Sequence, residues 1–140
     1  MRLVLDTDVM VAAFRSPSGA SAALIESALD GKITLLVSVP VALEYEAVLK
    51  RDEHLLATAS TIDQMDRRIR SIIALCDPVY RAFRWRPQLR DPADEMVLEA
   101  AVNGGADMLV TFNQRDFGTA PAAFGMDCLL PRQALERIKL

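Results

Sequence analysis

Arg2-Leu3-Val4-Leu5 is a short apolar run stopped by Asp6-Thr7-Asp8, the pattern of a buried strand that ends in a polar loop. The pattern recurs along the chain. Thr34-Leu35-Leu36-Val37 predicts a second buried strand, Val79 to Phe83 a third, Met108-Leu109-Val110-Thr111 a fourth and Asp127 to Leu130 a last. Helical stretches separate them. They run from Val9 to Phe14, from Ala20 to Leu29 with Gly31 as the closing residue, from Ser38-Val39-Pro40 to about Lys50, and from Thr61 to Leu75. Two more are opened by Asp91-Pro92, ending near Asn103-Gly104-Gly105, and by Arg132. Apolar strands alternating with helices predict an α/β fold of three layers, α/β/α, around a central, mostly parallel sheet of about four or five strands.

The 140 residues, 51% of them hydrophobic, suit one domain with one core, residues 1–140. A net charge of -3 argues against a protein that holds nucleic acid by overall basicity, so any such role must rest on a local site. Cys76 and Cys128 lie far apart and form no metal-ligand spacing, which fits a reducing cytoplasm. Asp6 comes too early for a signal peptide, and no apolar run approaches the roughly 18 residues that span a bilayer. A soluble, cytoplasmic protein is expected, with no membrane partner.

In open parallel sheets the ligand site lies beyond the carboxyl ends of the strands. Acids occupy those places here. Asp6 and Asp8 follow the first strand, Glu44 lies early in the helix after the second, Asp94 follows the third, and Asn113 and Asp116 follow the fourth. Helix phase sharpens the choice, because residues three and four apart share a face. Glu44 lines up with Val41 and Val48, while Glu46 sits four before Lys50, the spacing of an exposed ion pair. Asp94 lines up with Val97, Leu98 and Ala101, with Glu95 and Glu99 off that stripe.

Each acid alone also suits a helix cap or a turn: Asp6 and Asp8 before one helix, Asp91 and Asp94 at the start of another, Asp116 in a turn. Capping does not explain acids on apolar helix faces, where an unpaired carboxylate costs several kcal/mol or becomes protonated. A bound cation removes that cost. Oxygen ligands without His or Cys select Mg²⁺ or Mn²⁺. Such a metal activates water against a phosphodiester. No Ser, Cys or P-loop motif competes, and the single His54 lies in a polar stretch.

The chain resembles the PIN-domain family, particularly bacterial members that are toxin components of toxin–antitoxin pairs. The resemblance rests on Leu5-Asp6-Thr7-Asp8-Val9, the helix carrying Glu44 and ending Val48-Leu49-Lys50-Arg51, Arg90-Asp91-Pro92-Ala93-Asp94-Glu95, and Ala106 to Thr111 followed by Asn113 and Asp116-Phe117. It implies a PIN-like, Rossmann-like fold and a metal-dependent ribonuclease. Asp6, Glu44 and Asp94 match the family's central metal-binding acids, Asp116 a frequent fourth, and Thr111 a hydroxyl residue lining the site. Two positions depart. Asp8 stands where many members have Asn, and Asn113 where many have Asp, which leaves Asn113 as a neutral ligand candidate. The implied partners are RNA and a cognate antitoxin, with a homodimer as a further expectation.

Arginines near the cleft should attract RNA phosphates, and Arg84, Arg86 and Arg90, with Arg81 and the aromatics Phe83 and Trp85, are the densest group. An apolar stripe through Ile62, Met65, Ile69, Ile72 and Ile73 suits either core or a surface shared with an antitoxin or a second copy. Two rival readings are a non-catalytic PIN-like protein-binding module and a phosphoacceptor receiver domain. The receiver lacks its lysine, since Thr111 is followed by Phe112-Asn113-Gln114.

Overall fold

The computed structural model describes residues 1–80 and 89–139. Its elements run β1 (Arg2–Leu5), α1 (Thr7–Arg15), α2 (Ala20–Leu29), β2 (Thr34–Val37), α3 (Val39–Leu49), α4 (Asp52–Ala57) and α5 (Ile62–Leu75). They continue with β3 (Asp77–Pro78), α6 (Pro92–Asn103), β4 (Met108–Val110), α7 (Gln114–Phe117), α8 (Ala120–Ala123), β5 (Asp127–Leu129) and α9 (Pro131–Lys139). The strands form one sheet in the order β3-β2-β1-β4-β5, and all four pairings are parallel. This is the α/β architecture that the alternation of strands and helices predicts.

β1 is the middle strand and is buried throughout Leu3, Val4 and Leu5, as expected where helices cover both faces of a parallel sheet. The chain builds outward from it on one side through β2 and β3, then crosses to the other side for β4 and β5. Strand order therefore reverses between β1 and β4, where Leu5 pairs with Val110. A crevice opens at such a reversal, beyond the carboxyl ends of the two strands.

Local chemistry sets most boundaries. Asp6, Ser38, Thr61 and Asp91 cap α1, α3, α5 and α6 through their side chains, and Thr61 with Gln64 forms a reciprocal capping box. The stripe of α5 proves to be core: Met65 and Ile69 are buried, Ile72 and Ile73 pack partly buried against them, and only Ile62 is largely exposed.

Several expectations need correction. The third described strand is Asp77–Pro78, ahead of the expected Val79 to Phe83; Val79 adds one further bond, N–H to the Val37 carbonyl at 2.8 Å, Tyr80 is outside any strand, and positions 81–83 lie outside the described residues. Pro78 donates nothing to a ladder and is tolerated because β3 is the edge strand. The polar stretch after Lys50 is the short helix α4, which turns His54 inward to a buried position. Lys50 pairs across to Asp66 on α5 at 2.6 Å in preference to Glu46 within its own helix. Glu95 and Glu99, expected off the buried stripe, are 3% and 5% exposed. Nearly the whole circumference of α6 is covered, and the Glu95 carboxylate accepts the Leu89 N–H.

The end of α6 comes so close to the sheet that a Cβ on Gly104 would lie 2.8 Å from Val79 Cγ2 and 2.9 Å from Leu36 Cδ1. Gly104→Ala is expected to destabilise the fold by about 1–3 kcal/mol through overpacking. Urea unfolding checks this, and an unchanged midpoint would show that the sheet yields without strain.

Candidate active site

Asp6 stands at the strand reversal, immediately after β1, and is 8% exposed. Its amide donates to the Val110 carbonyl at 2.9 Å, which ties it to β4. Its carboxylate faces two donors. Oδ1 accepts the Thr7 N–H at 2.8 Å as the cap of α1, and Oδ2 accepts the Thr111 hydroxyl at 2.7 Å. Thr111 is fully buried, and its Oγ1 also accepts the Asn113 N–H at 3.0 Å. Its position is behind the site, where it orients Asp6 and the turn after β4.

Asp8, in the first turn of α1, reaches the same turn. Its Oδ2 accepts from the Phe112 N–H at 3.1 Å and from the Asn113 side-chain amide at 2.9 Å. The two positions that depart from the family pattern are thus direct partners. Among the described residues no hydrogen bond of standard geometry reaches Asp8 Oδ1 or Thr7 Oγ1, both buried, although the Val9 N–H and the Thr111 hydroxyl lie near enough to the Asp8 carboxyl to lower it; a buried polar group left without a partner costs about 1–3 kcal/mol.

Asp94 projects from the first turn of α6, next to the capping residue Asp91, whose Oδ1 accepts the Ala93 N–H at 2.8 Å. Asp116 lies on α7 and is exposed. Asp91, Asp94 and Asp116 line one cleft of about 870 Å³, together with Arg90 and Arg115. Both arginines are exposed and make no ion pair among the described residues. Arg84 and Arg86 lie outside the described residues. Arg115 and Asp91 escaped the sequence reading as site residues: Asp91 read only as a cap, and the signal for Arg115 was its place beside Asp116.

The acids act on one another through space. Burial pushes Asp94 up to about 6, helped by the charges of Asp6, Asp91, Asp116 and Asp8. Asp8 is likewise pushed up to about 6 by burial and by the charge of Asp6. Asp6 is raised by burial, against the lowering effect of its Thr111 and Thr7 bonds. Glu44 is half-buried on α3 and no described hydrogen bond joins it to this group. Its neighbour Tyr45 is buried and donates its hydroxyl to the Leu5 carbonyl, which pins that helix one residue from Asp6.

Among the described residues no three His, Cys, Asp or Glu side chains converge closely enough to hold one ion. The carboxylates of Asp6, Asp8 and Asp94 nevertheless feel one another's charge. The donor set is all oxygen, it includes an orphaned carboxylate oxygen on Asp8, and both features fit a hard divalent cation.

The fold and the acids at the strand reversal define a class of small α/β domain with an acidic cleft. The sequence matches the PIN domain family over residues 2–115, and the chain belongs to that family. Asp116 lies one residue beyond the matched span. The fold is similar to that in the crystal structure of VapBC2 from Rickettsia felis bound to a DNA fragment from their promoter: the TM-score is 0.65 at 15% identity, over 91% of this chain and 97% of that one. No curated protein matches the sequence.

Asp8 and Asp94 bind protons more tightly folded than unfolded. Their contribution to stability is therefore full below about pH 4 and is lost as pH rises through about 6. In EDTA the melting temperature is expected to be higher at pH 5 than at pH 7, and Mg²⁺ is expected to raise it more at pH 7 than at pH 5. Calorimetric scans check both signs; a metal-free protein that melts higher at pH 7 would contradict the coupling of these acids.

Proposed function

We propose that this chain is a Mg²⁺- or Mn²⁺-dependent endoribonuclease that acts in the cytoplasm as the toxin of a type II toxin–antitoxin system. The observation that carries the reading is Asp6, held by Thr111 and the start of α1 at the strand reversal and electrostatically coupled to Asp94 and Asp116. Family membership and the likeness to VapBC2 support it. Asp6, Asp94 and Asp116 would hold the cation, with Glu44 and Asn113 as further ligands. When bound, the metal activates water toward a phosphodiester and offsets charge on the attacked phosphate. The chain's own groups do the positioning. Thr111 fixes the rotamer of Asp6, Asp8 fixes the turn that leads to Asp116, and Arg90 and Arg115 receive phosphates on either side of the acids.

A non-catalytic PIN-like binding module is the second reading, favoured by the absence of a ready-made three-acid cage among the described residues. It predicts no cleavage under any metal condition. On the nuclease reading, labelled single-stranded RNA is cut in Mg²⁺ or Mn²⁺ and not in EDTA. Asp94→Asn and Asp6→Asn are expected to abolish cleavage, by a thousandfold or on the order of that, with circular dichroism unchanged. Equal cutting by wild type and both variants would refute the assignment.

The turn after β4 provides a finer test. The Asn113 amide nitrogen already donates to Asp8, while Asp116 is exposed in the cleft. Asp116→Ala should therefore raise the Mg²⁺ concentration required for cleavage much more than Asn113→Ala does. Metal titrations of activity decide between them, and the reverse order would move the fourth ligand to Asn113.

A further inference from the structure

A second pocket, of about 300 Å³, opens on the other side of the β4 turn. Ala12, Leu130 and Pro131 give it apolar walls, and Phe112, Ser21 and Arg132 complete it. Its volume is at the low end for small-molecule sites. Three of its features point to an occupant. Phe112 is 49% exposed although it directly follows a buried strand, and its N–H bond to Asp8 fixes the ring's backbone beside the acids. Ser21 is 4% exposed and lines the pocket, yet its hydroxyl makes no hydrogen bond within the described residues. Arg132 is exposed there without an ion pair among those residues.

The pocket also receives the start of α2. Gly19 caps that helix without a side-chain bond, so the first amides, at Ala20 and Ser21, keep N–H groups that no helical carbonyl can accept. Ala12 follows Asp8 by four residues on α1, a rise of about 6 Å. Phe112, which lines the pocket, donates its N–H to Asp8, so the pocket adjoins the acids at the strand reversal.

We propose that this pocket is a nucleobase subsite, in which one base of a single-stranded RNA stacks on Phe112 beside the phosphate held at the acids. The inference rests on the nuclease reading. Phe112 supplies the stacking face, Arg132 meets the flanking phosphate, and the Ser21 hydroxyl with the free amides of α2 faces the edge of the base. That edge is lined with donors, so bases that present carbonyl oxygens, uracil and guanine, fit better than adenine, which presents an amino group.

The test is binding, measured by fluorescence anisotropy in Mg²⁺ on the Asp94→Asn background so that the strand stays whole. The probes are oligouridylate and oligoadenylate of equal length. Oligouridylate is expected to bind more tightly, Phe112→Ala to weaken it roughly tenfold by loss of one base–aromatic stack, Phe112→Trp to restore it, and Ser21→Ala to narrow the preference over oligoadenylate. Phe112 is half exposed and its backbone bond survives substitution, so an unchanged melting temperature confirms a folded variant. Unchanged affinity in Phe112→Ala would overturn the subsite and leave the pocket to a protein contact. Metal-dependent cutting of RNA by the wild type alongside that result would fault this inference alone. Neither cutting nor binding by the wild type would bring down both readings.

Discussion

The buried bond between Thr111 and Asp6 is the constraint on which the rest of the cleft depends. It joins the ends of the two parallel strands between which the strand order reverses, and the same carboxylate starts α1. A carboxylate this buried is costly without donors. Three groups meet the need at Asp6: a backbone amide, a hydroxyl, and the partial positive charge at the start of a helix. One residue thereby holds β1, α1 and β4 in register while keeping its charge at the mouth of the crevice.

The other acids are supplied by separate elements, each fixed for a local reason. Asp94 rides on a helix capped by Asp91 and lodged against β1, β2 and β4. Asp116 rides on α7, whose buried anchor is Phe117. Asp8 is held by the turn it stabilises. These elements bring like charges together, and among the described residues Arg90 and Arg115 line the same cleft without pairing to them. Burial and this mutual repulsion together raise the carboxyls of Asp6, Asp8 and Asp94.

Much of this was legible in the sequence because the signals were local and strong. Short apolar runs named the inner strands, Asp6 stood out directly after the first, helix phase singled out Glu44 and Asp94, and Asp116 lay in the connection after the fourth. What stayed hidden was tertiary in origin. Glu95 and Glu99 read as solvent-facing because periodicity assumes one buried stripe, whereas α6 is covered nearly all round. The edge strand was placed too late because Val79 carries an apolar pattern that Asp77-Pro78 lacks, although the latter makes the pairing. α4 is too short for a periodic signal, and the burial of His54 follows only from its packing. Thr111 was implied only by the family resemblance, as a hydroxyl lining the site, and its bond to Asp6 is a tertiary contact between positions 105 residues apart.

The contact between Asp8 and Asn113 has a consequence for how such sites drift over generations. The family resemblance implies an amide at position 8 and an acid at position 113, whereas in this chain the charge sits on Asp8 and the amide on Asn113. No single substitution makes that exchange. A first step at position 113 would set two carboxylates within 2.9 Å of one another, whereas a first step at position 8 would leave two amides able to bond each other at the loss of one charge. The neutral pair is the one this contact tolerates, so the charge at the turn belongs to one of the two positions and not to both.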